Sequence, residues 1–228
     1  MSSKVLVKKS LAELIGTFTM VFAGCGSVMV AERFPGTLSH TVIAVVFGLA
    51  VAVMIYAVGH ISGAHFNPAV TLAFAAARHF PFEEVVAYWA SQITGAVLAI
   101  VVLKAILPVG QTYGATFPAV PWAQALGWEV ILTFFLMFVI VAVATDTRAV
   151  GTMAGAAIGG TVMLAAWVGG PVTGASMNPA RSFAPALFEG RLDVMWIYVV
   201  GPCLGAVGAA LLYEAIRLTP VIKKRSKA

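Results

Sequence analysis

Apolar runs alternate with short polar breaks along almost the whole chain. Uncharged or nearly uncharged stretches extend from Leu11 to Ala31, Thr37 to Val58, Val85 to Leu103, Val120 to Thr145, Ala149 to Gly170 and Val194 to Leu212. Each is close to the ~20 residues that a helix needs to cross the hydrocarbon layer, so six spans are predicted. Two further helix-compatible stretches, Pro68 to Ala77 and Pro179 to Leu187, follow an Asn and begin with a Pro. At 1.5 Å per residue each covers roughly 15 Å, half of a ~30 Å core. The pattern predicts an all-α membrane protein with six transmembrane helices and two reentrant half helices.

Composition agrees. Of the 228 residues 61% are hydrophobic and 10% charged, too little polar surface for a fold dispersed in water. Lys4, Lys8 and Lys9 precede the first span, and Lys223, Lys224, Arg225 and Lys227 follow the last. Basic flanks stay on the cytoplasmic side, so both termini are expected in the cytoplasm of a multi-pass plasma or inner membrane protein, which requires an even number of crossings. The net charge of +5 is accounted for by these tails meeting anionic headgroups, and nucleic acid is not needed to explain it. No cleavable signal stands out, so the first span is expected to remain. Cys25 and Cys203 fall inside spans and read as packed thiols, without a metal or disulfide framework and without a cofactor.

The two Asn-Pro segments are copies. "ISGAHFNPAVTLA" (Ile61 to Ala73) aligns with "VTGASMNPARSFA" (Val172 to Ala184), with Gly, Ala, Asn, Pro and Ala recurring at the same places. Glu13, Thr17 and Phe18 correspond to Glu129, Thr133 and Phe134, and "GAVLA" at Gly95 to "GAVGA" at Gly205. One domain over residues 1–228 therefore consists of repeat 1 (about 5–115) and repeat 2 (about 120–220). Three spans per repeat is an odd number, so the second repeat enters the bilayer from the opposite side, an inverted repeat. The half helices then meet N-terminus to N-terminus at the midplane. The chain feeding them, "SGAHF" and "TGASM", exposes backbone carbonyls at Gly63, Ala64, His65, Gly174, Ala175 and Ser176. Unpaired carbonyls at that depth are tolerated only along a water-filled passage.

The motif Asn67-Pro68-Ala69 and its copy Asn178-Pro179-Ala180 suit a helix start: the amide oxygen caps the first turn and Pro lacks an N–H that would be orphaned there. The amide NH2 is left as a donor that can point into the lumen. Two helix N-termini add about half an elementary charge each. A water held between the amides accepts from both and donates outward both ways, which breaks a proton-hopping chain and raises a barrier to cations. Arg181 lies in the first turn of the second half helix, where an unpaired charge is costly; it is expected to line the pore, donate to solute and repel cations.

With these residues the sequence resembles the aquaporin, or major intrinsic protein, family over essentially its whole length. The resemblance implies passive conduction of water and small neutral solutes, homotetramers with one pore per subunit, and a constriction of four side chains. Carried over by position these are Phe47, twenty residues before Asn67; Ala166, five before Pro171; and Ala175 and Arg181 from the second reentrant loop. Strict water channels have His where Ala166 stands, and Trp167 is turned away by about 100 degrees of helix. The missing imidazole widens the constriction and removes a polar contact, so glycerol-sized solutes are expected. Ser182 follows the motif arginine where the glycerol branch has Asp. The sequence looks more like the nodulin-like branch and its bacterial relatives, whose members can pass water, small polyols and undissociated metalloid hydroxides.

Glu13 and Glu129 are the acids within spans. An intramembrane acid is a candidate coupling site, which keeps a coupled secondary transporter as the alternative; the resemblance instead implies that both carboxylates bond the backbone of the reentrant loops. His65 is expected to face the pore, with weaker claims for His40 and His60, while His79 sits near the cytoplasmic surface. No paired acids in one span, Ser-His pairing or His/Asp cluster suggests an enzyme. Glycines such as Gly48, Gly59, Gly95 and Gly205 read as helix-packing positions, and Trp89, Trp128 and Trp196 as lipid-facing or interfacial.

Overall fold

The computed structural model of the chain describes residues 3–107, 112–146 and 148–218. The basic tail from Lys223 to Lys227 lies outside the described residues. Those described form helices α1 (Ser3–Arg33), α2 (His40–Ser62), α3 (Pro68–Ala76), α4 (Phe82–Ile106), α5 (Trp122–Thr145), α6 (Ala154–Thr173), α7 (Pro179–Glu189) and α8 (Met195–Ile216), with a 3-10 turn at Gly151–Met153 before α6. Six of them are long and apolar enough to cross a membrane, and α3 and α7 are the two half-length helices.

Local chemistry sets the ends. Ser39 caps α2 by accepting from the Val42 N–H at 3.4 Å. Helices α2 and α6 stop where Gly63 and Gly174 turn left-handed, at φ 89° and 81°, a conformation that costs Gly little. Helix α1 begins eight residues before the apolar run, because a helix need not end at the hydrocarbon edge when its Lys side chains can reach the headgroups.

The crossings repeat within each half. Helix α1 packs on α4 and α5 on α8, while α2 and α6 cross each other between the halves. A methyl group on Gly95 would overlap the Leu14 carbonyl, and one on Gly205 the Val130 carbonyl. Gly48 and Gly159 face each other's carbonyls at the α2–α6 crossing. Lipid offers no hydrophobic drive for helix association, so such backbone-to-backbone approach supplies the packing. Gly59 differs from expectation: the nearest atoms to an added methyl are 3.7 Å away, so it is not a close-packing position. Each half helix leans on the last span of the other half, α3 on α8 and α7 on α4.

Candidate functional site: two reentrant loops and the cavity between them

The loops into α3 and α7 hold an unusual backbone. Ala64, Phe66, Ala175 and Met177 all have positive φ, between 41° and 52°, a region that costs a non-Gly residue about 1–3 kcal/mol. Carboxylates from α1 and α5 offset this. Glu13 accepts from the Ser62 hydroxyl at 2.7 Å and the His65 N–H at 2.9 Å on one oxygen, and from the Phe66 N–H at 2.7 Å and the Gln92 amide at 2.8 Å on the other. Glu129 accepts from the Thr173 hydroxyl at 2.7 Å and the N–H groups of Ser176 at 3.0 Å and Met177 at 2.8 Å. Both side chains are fully buried, and every partner recorded for them is a donor. Tyr88 and Tyr198 repeat the symmetry one layer out, donating to the carbonyls of Ser62 at 2.6 Å and Thr173 at 2.7 Å.

At the meeting point of the half helices, the Asn67 oxygen accepts from the Ala69 N–H at 2.9 Å, and the Asn178 oxygen from Ala180 at 3.0 Å and Arg181 at 3.3 Å. The amide groups do more than the motif alone indicates. Asn67 donates across the midplane to the Met177 carbonyl at 2.7 Å, and Asn178 to the Phe66 carbonyl at 2.9 Å. One hydrogen of each NH2 thus laces the two loops together; the second of Asn67 has no recorded partner and is left for the lumen, while the Asn178 nitrogen also lies 3.8 Å from the Met20 sulfur, a weak acceptor on the cavity wall. The indole of Trp89 donates to the Pro68 carbonyl at 3.0 Å, so this Trp anchors the start of α3 and is not simply lipid-facing.

A cavity of about 430 Å³ follows the axis of the two half helices. It opens between Tyr56, His60 and Thr152, on the face shared by the start of α1 and the end of α8, passes Asn67 and Asn178, and reaches Phe47, Ala166, Ala175 and Arg181. Gly63, Ala64, His65 and Ser176 also line it. Gly174 is not among the lining residues; an added methyl there would stand 2.9 Å from the Thr116 side chain. The His65 ring bonds Thr71 at 3.1 Å and stacks on Phe74 with centroids 4.8 Å apart.

At the buried end of the cavity four parts of the chain meet around Arg181. Phe47 of α2 lies flat over Gly24 of α1, where any side chain would overlap the ring. The Arg181 guanidinium sits over that ring, 4.8 Å from its centroid. Its Nη1 donates to the Gly114 carbonyl at 2.7 Å and touches the Cys25 sulfur at 3.7 Å, so Arg181 is buried but not unpaired. Ser182 faces away from the cavity, bonding the hydroxyls of Ser176 at 2.5 Å and Thr116 at 2.7 Å. Trp167 is 51% exposed on the outside of α6.

Sequence reasoning did not find Gly114, Cys25, Gly24 or Tyr56 as parts of this site, and ranked His60 low. Gly114 lies in a loop without periodicity and acts through its carbonyl, which every residue has. Among the described residues no group of His, Cys, Asp and Glu is disposed to hold a metal.

Residues 1–213 match the model of the family described as Major intrinsic protein. Aquaporin NIP1-1 of Oryza sativa subsp. japonica is 50% identical over 214 residues, covering 93% of this chain and 75% of that protein. Nodulin-26 of Glycine max is 48% identical over 215 residues, covering 93% and 79%. The X-ray structure of the aquaglyceroporin from Plasmodium falciparum has the same fold, with a TM-score of 0.82 over 92% of this chain and 96% of that one at 24% identity. Taken with six apolar spans and two half helices joined through their asparagines, these matches establish that the chain belongs to the major intrinsic protein family, multi-pass membrane channels through which water and small neutral solutes pass passively.

Proposed function

We propose that this member combines rapid water flow with passage of small polyols and undissociated metalloid hydroxides, and that Phe47, Ala166, Ala175 and Arg181 are its selectivity filter. The reading is carried by one observation: two alanines share the cavity wall with an arginine and a phenylalanine. Such a wall gives a solute an apolar side for its CH groups and a guanidinium for its hydroxyls. An imidazole at position 166 would narrow the passage and penalise the CH groups.

Protons and cations are turned back in the centre. The amide groups of Asn67 and Asn178 and the positive ends of α3 and α7 orient a water to accept from the protein, so no continuous donor chain runs through it. Glu13 and Glu129 are structural supports in this scheme, since carboxylates met on all recorded sides by donors have no route for handing on a proton. Each repeat contributes one loop, one half helix and one carboxylate. Both termini face the cytoplasm, following the basic residues that flank the spans, and the working unit is a homotetramer with one pore per subunit.

Stopped-flow light scattering on proteoliposomes tests the reading with water, glycerol, urea and an undissociated metalloid acid. The parent is expected to pass water quickly and the polyol measurably, and Ala166→His to reduce polyol flux more than water flux. Equal suppression of both, or a parent impermeable to the polyol, refutes the wide filter.

A further inference from the structure

The strap Thr112–Phe117 lies between α4 and α5 and carries no pore motif, yet its Gly114 carbonyl is the oxygen that holds Arg181. Two carboxylates outside the cavity hold the strap. Glu32, next to the end of α1, uses both oxygens: one accepts the Thr112 N–H at 3.0 Å and the other the Thr112 hydroxyl. Glu189, the last residue of α7, accepts the Tyr113 N–H at 2.8 Å. The Thr112 hydroxyl in turn takes the Gly114 N–H at 3.3 Å. Three successive backbone N–H groups are thereby tied, directly or through one hydroxyl, to the ends of α1 and α7.

The next residue cannot adjust freely. Gly114 has φ 74°, and an added methyl would stand 2.9 Å from the Cys25 backbone, so the peptide lies against α1, where its carbonyl also takes a weak bond from the Cys25 thiol at 3.7 Å. Further along, Thr116 bonds Ser182 at 2.7 Å and the Ala119 N–H donates to Val172 at 2.9 Å. The strap's later part stays attached without the carboxylates, so loss of the clamp acts locally, on Thr112 to Gly114. The recorded side-chain hydrogen bonds of Arg181 all leave from Nη1, toward Gly114 and Cys25. Without that carbonyl the guanidinium has no oxygen partner among the described residues and is held by a ring face and a thiol.

We propose that Glu32 and Glu189 are positioning residues of the filter: by fixing the strap they fix the Gly114 carbonyl, which fixes the Arg181 guanidinium over Phe47 and so sets the solute cut-off. This rests on the reading of Arg181 as a filter residue. The two carboxylates differ in what they need to supply. Glu189 uses a single oxygen, so glutamine can replace it; Glu32 uses both, so glutamine preserves only part of its clamp.

The test measures the polyol-to-water and urea-to-water permeability ratios in proteoliposomes, with water flux per channel as the check on folding. Glu32→Ala with Glu189→Ala is expected to raise the ratios several-fold while water still flows. Glu189→Gln restores most of the parent ratio that Glu189→Ala loses, and Glu32→Gln restores less of its own. The decisive arm repeats the double substitution in an Arg181→Ala background, where it is expected to change nothing further, because groups acting through one residue are not additive. The proposal is overturned if the ratios stay at the parent value in the double variant, or if they change equally in both backgrounds. A failure of Arg181→Ala itself to move the ratios would instead refute the filter assignment, so the two readings fail separately.

Discussion

Replacing Glu129 by leucine or by glutamine separates the support of the second reentrant loop from any role in proton transfer. Leucine removes both acceptors. The Thr173 hydroxyl can turn elsewhere, but the N–H groups of Ser176 and Met177, at 3.0 and 2.8 Å from the carboxylate, cannot. Each buried donor left unsatisfied costs about 1–3 kcal/mol, so the leucine variant is expected to lose about 2–6 kcal/mol of loop stability. Some of this is recovered as Ala175 and Met177 relax from their left-handed conformations. Glutamine keeps one oxygen for Thr173 and Ser176 and turns its NH2 toward Met177, a loss of about 1–3 kcal/mol. The assay is thermal inactivation of water flux in proteoliposomes, repeated across pH. Leucine should inactivate at the lowest temperature, glutamine in between, and the glutamine variant should conduct with the same pH profile as the parent. A leucine variant as heat-resistant as the parent would refute the clamp. Glutamine abolishing pH dependence present in the parent would point to proton coupling through Glu129.

Two further substitutions test the packing and the filter geometry. Gly205→Ala drives a methyl group into the Val130 carbonyl, whereas Gly208, three residues along the same helix, has nothing within 4 Å of an added methyl; the first should cost about 1–3 kcal/mol by overpacking and the second close to nothing, read as heat resistance of the purified channel. Trp167→Leu, on the half-exposed outer side of α6, should leave the polyol-to-water ratio at the parent value, and a shift in that ratio would show that the neighbour of Ala166 reaches the lumen.

Much of this protein was legible along the chain because the signals are local or repeated. Span length follows from hydrocarbon thickness, and the half helices from an Asn-Pro start and the number of residues after it. The inverted hand follows from an odd number of spans per repeat. Arg181 announced itself as a charge inside an apolar run. The mouth at Tyr56 and His60 was harder, since a polar residue near a span end is equally at home at the headgroups. Trp89 shows the same limit: an indole at that position suits the interface, and only the position of the Pro68 carbonyl made it an anchor as well.

The sequence by itself determined which segments cross, that they come in two opposed copies, and that two capped helix starts lie at the same depth. The tertiary structure alone decided that each asparagine would reach across to the other loop's carbonyl, that Gly114 would supply the oxygen for Arg181, and that Phe47 would rest on Gly24. The physical reason is that helix periodicity and capping act within a few residues, whereas these contacts join residues 23 to 112 positions apart. Their existence depends on how closely glycine lets the backbones cross, a distance that no local pattern encodes.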